Sequence, residues 1–499
     1  MCKLQKKLQT TRCNLLLYSS YVEKAGREEP QTNAAPACRF YFADALRFFH
    51  RDSCDTINKY ELREWEEGRR SLIRKSTPIR WKSAVLAFLA IWLLFVALGS
   101  HAAVGAEAKP SIPIDLKADA AILIDADTGQ VLYELNADTP RPPASMTKLM
   151  TEYIVLEEIS NNRLSWDQTV TTTKEAASTP KDGSQIYLAE GDKHTVEELY
   201  IAMAVGSAND ATVALASHIS GSEQAFAEKM NETAKALGLE SAHFTSATGL
   251  AETTVISARD MAKLAQIILK KHPEFLKYSS IPSYKFRERD QNPMVNYNWM
   301  LGANKDTPSF KPYAYEGVDG MKTGYISAAG YTFTGTVKRG DIRLISVVMG
   351  TASKGARFIE TAKLYDYAFN NLEKKTAVKA NSVVESLESI NIKKGVSKKV
   401  PVVTGSDISL LVPKGAEPKV ELVSKNVPAD NELVAPIEKG QKIGTVTFEY
   451  KDPNSGATLQ RTVDLVAAEE VKKASWWRLL FRGIGDFFVG LFNGIANLF

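Results

Sequence analysis

The sequence predicts an α+β fold in which a helical layer packs on an antiparallel sheet, followed by a small all-β domain and a C-terminal amphipathic helix. Three observations support this prediction. Strand patterns stand at both ends of a long segment whose middle is helical, which favours one sheet covered by helices. Short strand candidates follow beyond about Lys375, and residues 475–499 are rich in aromatic side chains. The 499 residues are enough for two or three domains with substantial cores.

Residues 80–106 have the pattern of a signal peptide. Arg80 and Lys82 precede an apolar run at 84–99, and small residues follow up to Ala106. We expect cleavage after Ala106, because about 16 apolar residues fall short of the ~20 that usually span a bilayer. An uncleaved membrane anchor is the alternative. Cleavage would make this an exported protein.

Residues 1–79, which precede the signal pattern, are predicted to be a poorly ordered extension. They are charged, carry isolated aromatics and show no sustained period. A signal peptide normally stands close to the start of its chain, so this extension is interpreted as an over-extended translation start. All four cysteines lie in the first 54 residues. The rest of the chain can therefore hold neither a disulfide nor a thiolate metal site.

The predicted α+β domain covers residues 107–374 and opens with a hairpin. Ala121–Asp125 and Val131–Leu135 are apolar runs that flank the turn residues Asp127-Thr128-Gly129. A helix should begin near Ala144, since apolar residues then recur at three- and four-residue spacing. Further helices are predicted around 195–219, 222–237, 257–271 and 353–371.

The late part of this domain is predicted to be strands. Residues from Gly320 onward have a strand-like texture, and Tyr331–Val337 and Ile342–Met349 form a second hairpin. Ser257 and Asp260 have the spacing of a capping box at the start of the helix before these strands.

Residues 375–468 are predicted to form the small all-β domain, because short apolar runs alternate there with Gly, Pro, Asn and Asp. Its strand candidates are Val400–Val403, Ile408–Val412, Val420–Val423, Lys442–Tyr450 and Leu459–Ala467. None of its residues forms a recognisable site, so we expect it to be a spacer.

Residues 469–499 are predicted to be a membrane-anchor helix. Arg478, Arg482 and Asp486 recur at four-residue intervals, so that polar groups gather on one side of a broad aromatic face. This composition is typical of a helix that lies in a membrane interface. The alternative is a last helix docked on the protein's own core.

The first chemical motif is a serine and a lysine three residues apart, Ser145 and Lys148. This spacing places both side chains on one helix face. A serine hydroxyl is a poor nucleophile until a base removes its proton. A lysine amine can be that base when burial or a second cation lowers its pKa. The pair therefore predicts a lysine-activated serine nucleophile.

Two further strings follow. Ser207 could move a proton and Asn209 could hold a substrate peptide group, although a helix end with local hydrogen bonds would look the same. Lys322 offers a positive charge for a carboxylate, Thr323 a hydroxyl donor and Gly324 room for a substrate backbone, but an exposed edge strand could also contain them. The occurrence of all three strings in this order is far more specific than any one of them.

In this combination the chain resembles the low-molecular-mass penicillin-binding proteins of the D-alanyl-D-alanine carboxypeptidase family, peptidase family S11. The resemblance covers about residues 110–499 and extends to Ser257-Ala258-Arg259-Asp260 and Gly317–Gly324. It implies a β-lactamase/transpeptidase-like domain, a β-rich second domain and an amphipathic anchor. The implied location is the outer face of the cytoplasmic membrane, with peripheral attachment through residues 475–499.

The resemblance also implies a reaction. Ser145 would attack the carbonyl between the two terminal D-alanines of a peptidoglycan stem peptide, and Lys148 would take its proton. Ser207 would help to protonate the leaving D-alanine. Water would then release the acyl-enzyme, whereas a β-lactam would acylate Ser145 and leave slowly.

Substrate binding falls to the remaining motif residues. Lys322 and Thr323 would hold the terminal carboxylate, while Asn209 and Gly324 would contact the peptide. The oxyanion hole would consist of the backbone N–H groups of Ser145 and Tyr325. Tyr325 stands where some relatives carry histidine, which should alter the acid–base environment.

Several other functions are disfavoured. A net charge of +4 without a dense basic block gives no reason to expect nucleic acid. No cofactor or metal is expected, since the six histidines include no His-Glu-x-x-His pair. A β-lactamase of the same fold is the nearest alternative, but no Glu-x-x-Leu-Asn string lies between Asn209 and Lys322. A non-catalytic wall-associated scaffold is the other alternative.

Overall fold

The structure, a computed structural model, describes residues 114–429, 432–453 and 456–496, with side chains up to residue 493. The predicted extension 1–79 and the predicted signal peptide 80–106 lie outside the described residues.

The strands of the described residues divide into a central sheet, a second sheet and three short pairs. In chain order they are β1 Ala120–Asp125, β2 Val131–Leu135, β3 Thr169–Thr171, β4 Lys193–Thr195, β5 Ser283–Tyr284, β6 Met294–Val295, β7 Val318–Ile326, β8 Gly330–Arg339, β9 Ile342–Thr351, β10 Leu372–Val378, β11 Ser389–Asn391, β12 Lys399–Thr404, β13 Ile408–Pro413, β14 Val420–Asn426, β15 Lys442–Lys451 and β16 Thr458–Ala467.

Most helices lie between the early and the late strands. The helices of the described residues are α1 Lys148–Ser160, α2 Lys174–Ala177, α3 Val196–Gly206, α4 Asn209–Ser220, α5 Glu223–Ala236, α6 Ala258–Lys271, α7 Phe275–Ser279, α8 Ala356–Asn371 and α9 Trp476–Ala496, with short 3-10 turns at Ala144–Thr147 and Gly302–Asp306.

The central sheet is antiparallel and has the order β2-β1-β9-β8-β7, so the early hairpin pairs with the late strands through β1 and β9. Both of its faces are buried, because Ile122 contributes to the core on one face and Leu123 to the core on the other. The core that contains Ile122 also includes apolar residues of α1, α3, α4 and α6, and α8 contributes to the opposite core. The predicted α+β class with a helical layer on an antiparallel sheet is confirmed.

One helix boundary differs from the sequence prediction in a way that matters for the site. The sequence predicts a helical stretch around 195–219, with a helix end near Ser207 as the alternative; in the structure α3 ends at Gly206 and α4 begins at Asn209. Ser207 occupies the break with a left-handed φ of 55°. The interruption places the Ser207 and Asn209 side chains at a helix junction rather than along one helix face.

Only one of the two hydrogen bonds of the predicted capping box is present. Ser257 Oγ accepts the backbone N–H of Asp260 at 3.1 Å, as a helix N-cap should. The Asp260 carboxylate does not return the bond to Ser257 but accepts the backbone N–H of Ser241 at 2.8 Å. The helix start is thereby tied to a preceding loop.

The all-β part has its own core and a sheet with the order β11-β12-β16-β15-β14. β10 pairs with β13 and runs across the predicted boundary between residues 374 and 375. The buried Gln130, between β1 and β2, docks on β13 like a strand residue. Its side chain donates to the Leu411 carbonyl at 2.7 Å and accepts from the Leu411 N–H at 3.0 Å.

The C-terminal helix α9 contacts the all-β part through its polar residues. Arg482 donates to the carbonyls of Gly395 and Val396, and Asp486 accepts from Lys398 at 2.8 Å. Its aromatic side chains remain exposed: Trp476, Trp477, Phe481, Phe487, Phe488 and Phe492. Among the described helices, none combines the length and apolar character that crossing a bilayer requires.

Candidate active site

Ser145 lies in the 3-10 turn that leads directly into α1. The turn is closed by a hydrogen bond from the Met146 N–H to the Pro143 carbonyl at 3.2 Å, and Ala144 adopts a left-handed φ of 51°. Proline suits the start of this turn because it has no backbone N–H that must find an acceptor, and because it cannot continue a preceding helix. The local sequence therefore places the serine hydroxyl at the start of a helix, beside the central sheet.

Lys148 is fully buried and lies within hydrogen-bond reach of Ser145. Its Nζ donates to Asn209 Oδ1 at 2.7 Å and to the Thr248 carbonyl at 2.9 Å, and it lies 3.1 Å from Ser145 Oγ. The two acceptors use both hydrogens of a neutral amine, which leaves its lone pair for the serine hydroxyl proton. The arrangement presents a lysine base to a serine hydroxyl.

Burial and a second cation make Lys148 a better base. Burial lowers the pKa of Lys148 well below its ordinary value, and the positive charge of Lys322 lowers it further. Negative charges on Glu152, Glu223 and Asp210 act in the opposite direction with smaller effect. The neutral amine that proton transfer requires is thus favoured.

The second and third motifs meet at a single contact. Lys322 on β7 is buried, and its Nζ donates to Ser207 Oγ at 3.0 Å. It also donates to the carbonyl of Thr323, the next residue on the strand, at 3.3 Å. Burial lowers the pKa of Lys322, while the negative charge of Glu152 raises it. The structure therefore forms two serine–lysine contacts, one between Ser145 and Lys148 and one between Ser207 and Lys322.

Asn209 lies at the start of α4, in contact with Lys148. Its amide oxygen accepts from Lys148, so the residue fixes the base as well as offering an amide N–H group toward Gly183. The neighbouring Asp210 is buried and accepts backbone N–H groups from Ile186 at 3.1 Å and Leu188 at 2.9 Å. These bonds hold the 184–188 loop beside the site.

Gly324 brings β7 against the turn that carries Ser145. A Cβ atom at this position would lie 2.5 Å from Thr332 Oγ1, 2.6 Å from the Pro143 carbonyl and 3.0 Å from the Ser145 nitrogen. The space that the sequence suggested for a substrate backbone is therefore needed, on this face, by the protein's own nucleophile turn. Only glycine allows this approach.

Tyr325 follows Gly324 and is half exposed at the edge of the site. Its ring stacks on that of Tyr331, with centroids 4.3 Å apart and an interplanar angle of 25°. The two residues are direct partners in the β7–β8 ladder. This stacking fixes the end of β7 whose backbone runs past Ser145.

Sequence reasoning missed three groups in this region. The Thr248 carbonyl binds Lys148, but a backbone acceptor leaves no motif. The buried Arg357 donates to the Gly324 carbonyl at 3.1 Å, which adds a cation behind β7. The buried Glu152 stands one helical turn after Lys148, and its acidic character in an otherwise apolar helix face was a signal that could have been used.

The described residues contain no group of three or more His, Cys, Asp or Glu side chains that could hold a metal ion. The motif serines and lysines supply the hydroxyls of Ser145 and Ser207 and the buried amines of Lys148 and Lys322.

Comparison with family models assigns both folded parts. Residues 105–353 match the family described as D-alanyl-D-alanine carboxypeptidase. Residues 372–473 match the C-terminal domain of penicillin-binding protein 5.

Individual relatives agree with these matches. The D-alanyl-D-alanine carboxypeptidase DacF of Bacillus subtilis is 35% identical over 81% of this chain and 98% of its own length. DacA of Escherichia coli is 32% identical over 74% of this chain and 87% of its own length. Among solved structures, penicillin-binding protein 5 of Haemophilus influenzae superposes with a TM-score of 0.59 at 31% identity, covering 72% of this chain and 99% of that one.

Proposed function

Because the chain belongs to the D-alanyl-D-alanine carboxypeptidase family of penicillin-binding proteins, we propose that Ser145 is its nucleophile and Lys148 the base. As a member of this family the chain is a serine-type D-Ala-D-Ala carboxypeptidase that acts in cell-wall metabolism. Family membership therefore favours the carboxypeptidase function over the β-lactamase and scaffold alternatives. The observation that carries the residue assignment is the 3.1 Å contact between the buried Lys148 amine and the Ser145 hydroxyl.

Acylation starts at the peptide bond between the two terminal D-alanines of a stem peptide. The Ser145 oxygen attacks the carbonyl carbon while the neutral Lys148 amine takes the hydroxyl proton. The negative charge that develops on the carbonyl oxygen is stabilised by the backbone N–H groups of Ser145 and Tyr325. One such donor is typically worth about 10²–10³ in rate. The close packing of β7 at Gly324 supports this assignment, because it brings the Tyr325 backbone alongside the Ser145 turn.

The C–N bond then breaks and the terminal D-alanine leaves as an amine. Its nitrogen receives a proton through Ser207, whose hydroxyl is 3.0 Å from the Lys322 amine. Lys322 and the Thr323 hydroxyl bind the carboxylate of the departing residue, and Asn209 and Gly324 contact the peptide. Water hydrolyses the Ser145 ester, which returns the serine hydroxyl and releases the shortened stem peptide.

A β-lactam presents a strained amide and a carboxylate to the same groups. Ser145 would open that amide and form an ester, and the carboxylate would lie against Lys322. Two solved structures that are similar to this chain are named penicillin-binding proteins. We expect slow release of the opened drug and therefore inhibition.

The site acts outside the cytoplasm, with α9 as a peripheral anchor on the membrane surface. The support comes from the signal pattern at 80–106 and from the exposed aromatic side of α9. Arg482 and Asp486 on the polar side of α9 bind the all-β part, which leaves the aromatic side for lipid. Removal of residues 475–499 should abolish sedimentation with anionic phosphatidylglycerol vesicles while D-alanine release in solution stays the same.

The residue assignments are tested by release of D-alanine from diacetyl-Lys-D-Ala-D-Ala. The chain should release D-alanine, and Ser145→Ala and Lys148→Ala should lose this activity by several orders of magnitude. Ser160→Ala, at the far end of α1, is the matched control and should keep it. Activity retained by Ser145→Ala would refute the assignment of the nucleophile.

A further inference from the structure

A basic patch lies on the all-β part, beside the helix α9. It consists of six exposed lysines from two neighbouring segments of the chain: Lys393, Lys394, Lys398, Lys399, Lys472 and Lys473. Among the described residues, Lys398 is the member of this patch that forms a salt bridge, with Asp486 of α9 at 2.8 Å. Like charges on neighbouring segments repel each other, so the patch is suited to an anionic partner.

Backbone hydrogen bonds hold the two segments of the basic patch together. The Val396 N–H donates to the Lys472 carbonyl at 2.8 Å, and the Ala474 N–H donates to the Lys394 carbonyl at 2.7 Å. Between these bonds, Gly395 pairs with Lys473 in an antiparallel bridge. The lysines therefore belong to one defined surface.

This surface follows the polar side of α9. Lys394 is bonded to Ala474, just before the helix begins, whereas Lys398 pairs with Asp486, farther along it. Between these points Arg482 donates two hydrogen bonds to carbonyls of the loop. A helix rises about 1.5 Å per residue, so the loop runs beside about 15 Å of α9.

The position of the loop on α9 sets the depth of the lysines in a membrane. The aromatic side chains of α9, such as Phe481 and Phe488, are exposed and would enter the lipid. A helix with its side chains is about 10–12 Å across, and the polar layer outside the hydrocarbon core is about 5–8 Å thick. Lysines along the polar side therefore stand near the phosphate groups, within the ~10 Å over which charges act at 0.1 M salt.

Acidic side chains offset only part of this positive charge. A cleft of about 570 Å³ is lined in part by Lys399, Lys472, Glu469 and Glu470. Lys394 and Lys473 do not line that cleft, and neither forms a salt bridge within the part of the chain that the structure describes. These two lysines are therefore the most suitable positions for a test.

We propose that the basic patch binds the phosphate groups of anionic phospholipids, so that α9 and the all-β part lie on the membrane surface together. This inference rests on the proposed attachment through α9 and adds an electrostatic component to it. Stable peripheral attachment commonly combines an inserted apolar group with a polybasic patch. Each lysine next to an anionic membrane surface strengthens binding about fivefold.

The test is sedimentation of residues 107–499, which include every described residue, with two kinds of vesicle. One contains phosphatidylglycerol and phosphatidylcholine in equal parts, and the other contains phosphatidylcholine alone. At about 0.1 M salt, Lys394→Gln combined with Lys473→Gln should weaken binding to the phosphatidylglycerol vesicles about 25-fold. Binding to phosphatidylcholine should equal that of the wild type. D-alanine release in solution should also be unchanged, which verifies that the variant is folded.

Lys419→Gln combined with Lys425→Gln is the matched control. Both lysines are exposed and belong to the same all-β part, so the change in net charge is the same. Lys425 lies on β14 and Lys419 directly precedes it, at the opposite edge of the sheet from β11. This control should bind both kinds of vesicle as the wild type does.

Wild-type binding by the Lys394/Lys473 variant, or an equal loss in the control, would overturn the proposal. Weaker binding to soluble poly(glycerol phosphate) with unchanged vesicle binding would also overturn it, because the patch would then serve an anionic polymer. Removal of residues 475–499 tests the anchor separately. Vesicle binding that persists without α9 contradicts the anchor, whereas normal binding by the Lys394/Lys473 variant contradicts only the role of the basic patch.

Discussion

Replacement of Gly324 by alanine should disable the nucleophile by displacing the turn that carries Ser145. The new Cβ would lie 2.5 Å from Thr332 Oγ1 and 2.6 Å from the Pro143 carbonyl, where carbon atoms of this kind do not come closer than 3.0 Å. Relief of the clash with Thr332 requires a separation of at least about 0.5 Å (3.0 − 2.5) between β7 and its neighbours. Because the Ser145 nitrogen is the third nearest atom, the nucleophile turn moves with them.

The expected size of this effect follows from the geometry. Overpacking of a filled site usually costs about 1–3 kcal/mol of stability. Displacement of a reacting group by about 1 Å can cost about 10²-fold in rate, so a displacement of about half that size should cost about tenfold or more. Gly324→Ala should therefore remain folded, with acylation by a fluorescent penicillin slowed at least about tenfold.

The assay compares acylation rates and denaturant unfolding for Gly324→Ala and a control glycine. Gly302→Ala suits this purpose, since its nearest neighbour would be the Val318 carbonyl at an ordinary 3.7 Å. Its acylation should equal that of the wild type. Wild-type acylation by Gly324→Ala would refute the argument that β7 and the Ser145 turn are held in register by this contact.

Further predictions concern the base and the docking of the all-β part. Since burial and Lys322 lower the pKa of Lys148, the amine is neutral above that lowered value and protonated below it. Acylation by a β-lactam should therefore not decline as the pH falls through the usual lysine range near 10, and should decline only below the lowered pKa of Lys148; a decline beginning near pH 10 in stopped-flow measurements would contradict this. Gln130→Ala should lower the free energy of unfolding by about 1–3 kcal/mol, because it leaves the Leu411 N–H and C=O unpaired, with kcat unchanged. A clear fall in kcat of the folded Gln130→Ala variant would contradict this, because it would show that docking of the all-β part affects catalysis.

The architecture was largely readable from the sequence because its strands and helices have clear periods. The early hairpin was identified by Asp127-Thr128-Gly129 between two apolar runs, and β8 and β9 by their alternation and turn. The sequence left open whether a helix ends at Gly206, since a continuous helix of apolar residues and one interrupted by a left-handed residue look alike in sequence. Tertiary contacts around the site decide that conformation.

The site residues could be predicted from the sequence where they lie close together in a short motif. Ser145 and Lys148 are three residues apart, so helical geometry alone brings them together. The contact between Ser207 and Lys322 joins positions 115 residues apart and could be expected only from a family resemblance. Backbone acceptors and charges that act at a distance leave no local pattern, which is why the Thr248 carbonyl and Glu152 were missed.

The central claim is that Ser145 is the residue acylated during the reaction. It is tested most directly by trapping the chain with a β-lactam and locating the added mass in a peptide digest by mass spectrometry. The account predicts a single modified peptide, with the adduct on Ser145, and neither adduct nor D-alanine release in Ser145→Ala. An adduct on another residue, or D-alanine release by Ser145→Ala at the wild-type rate, would contradict it.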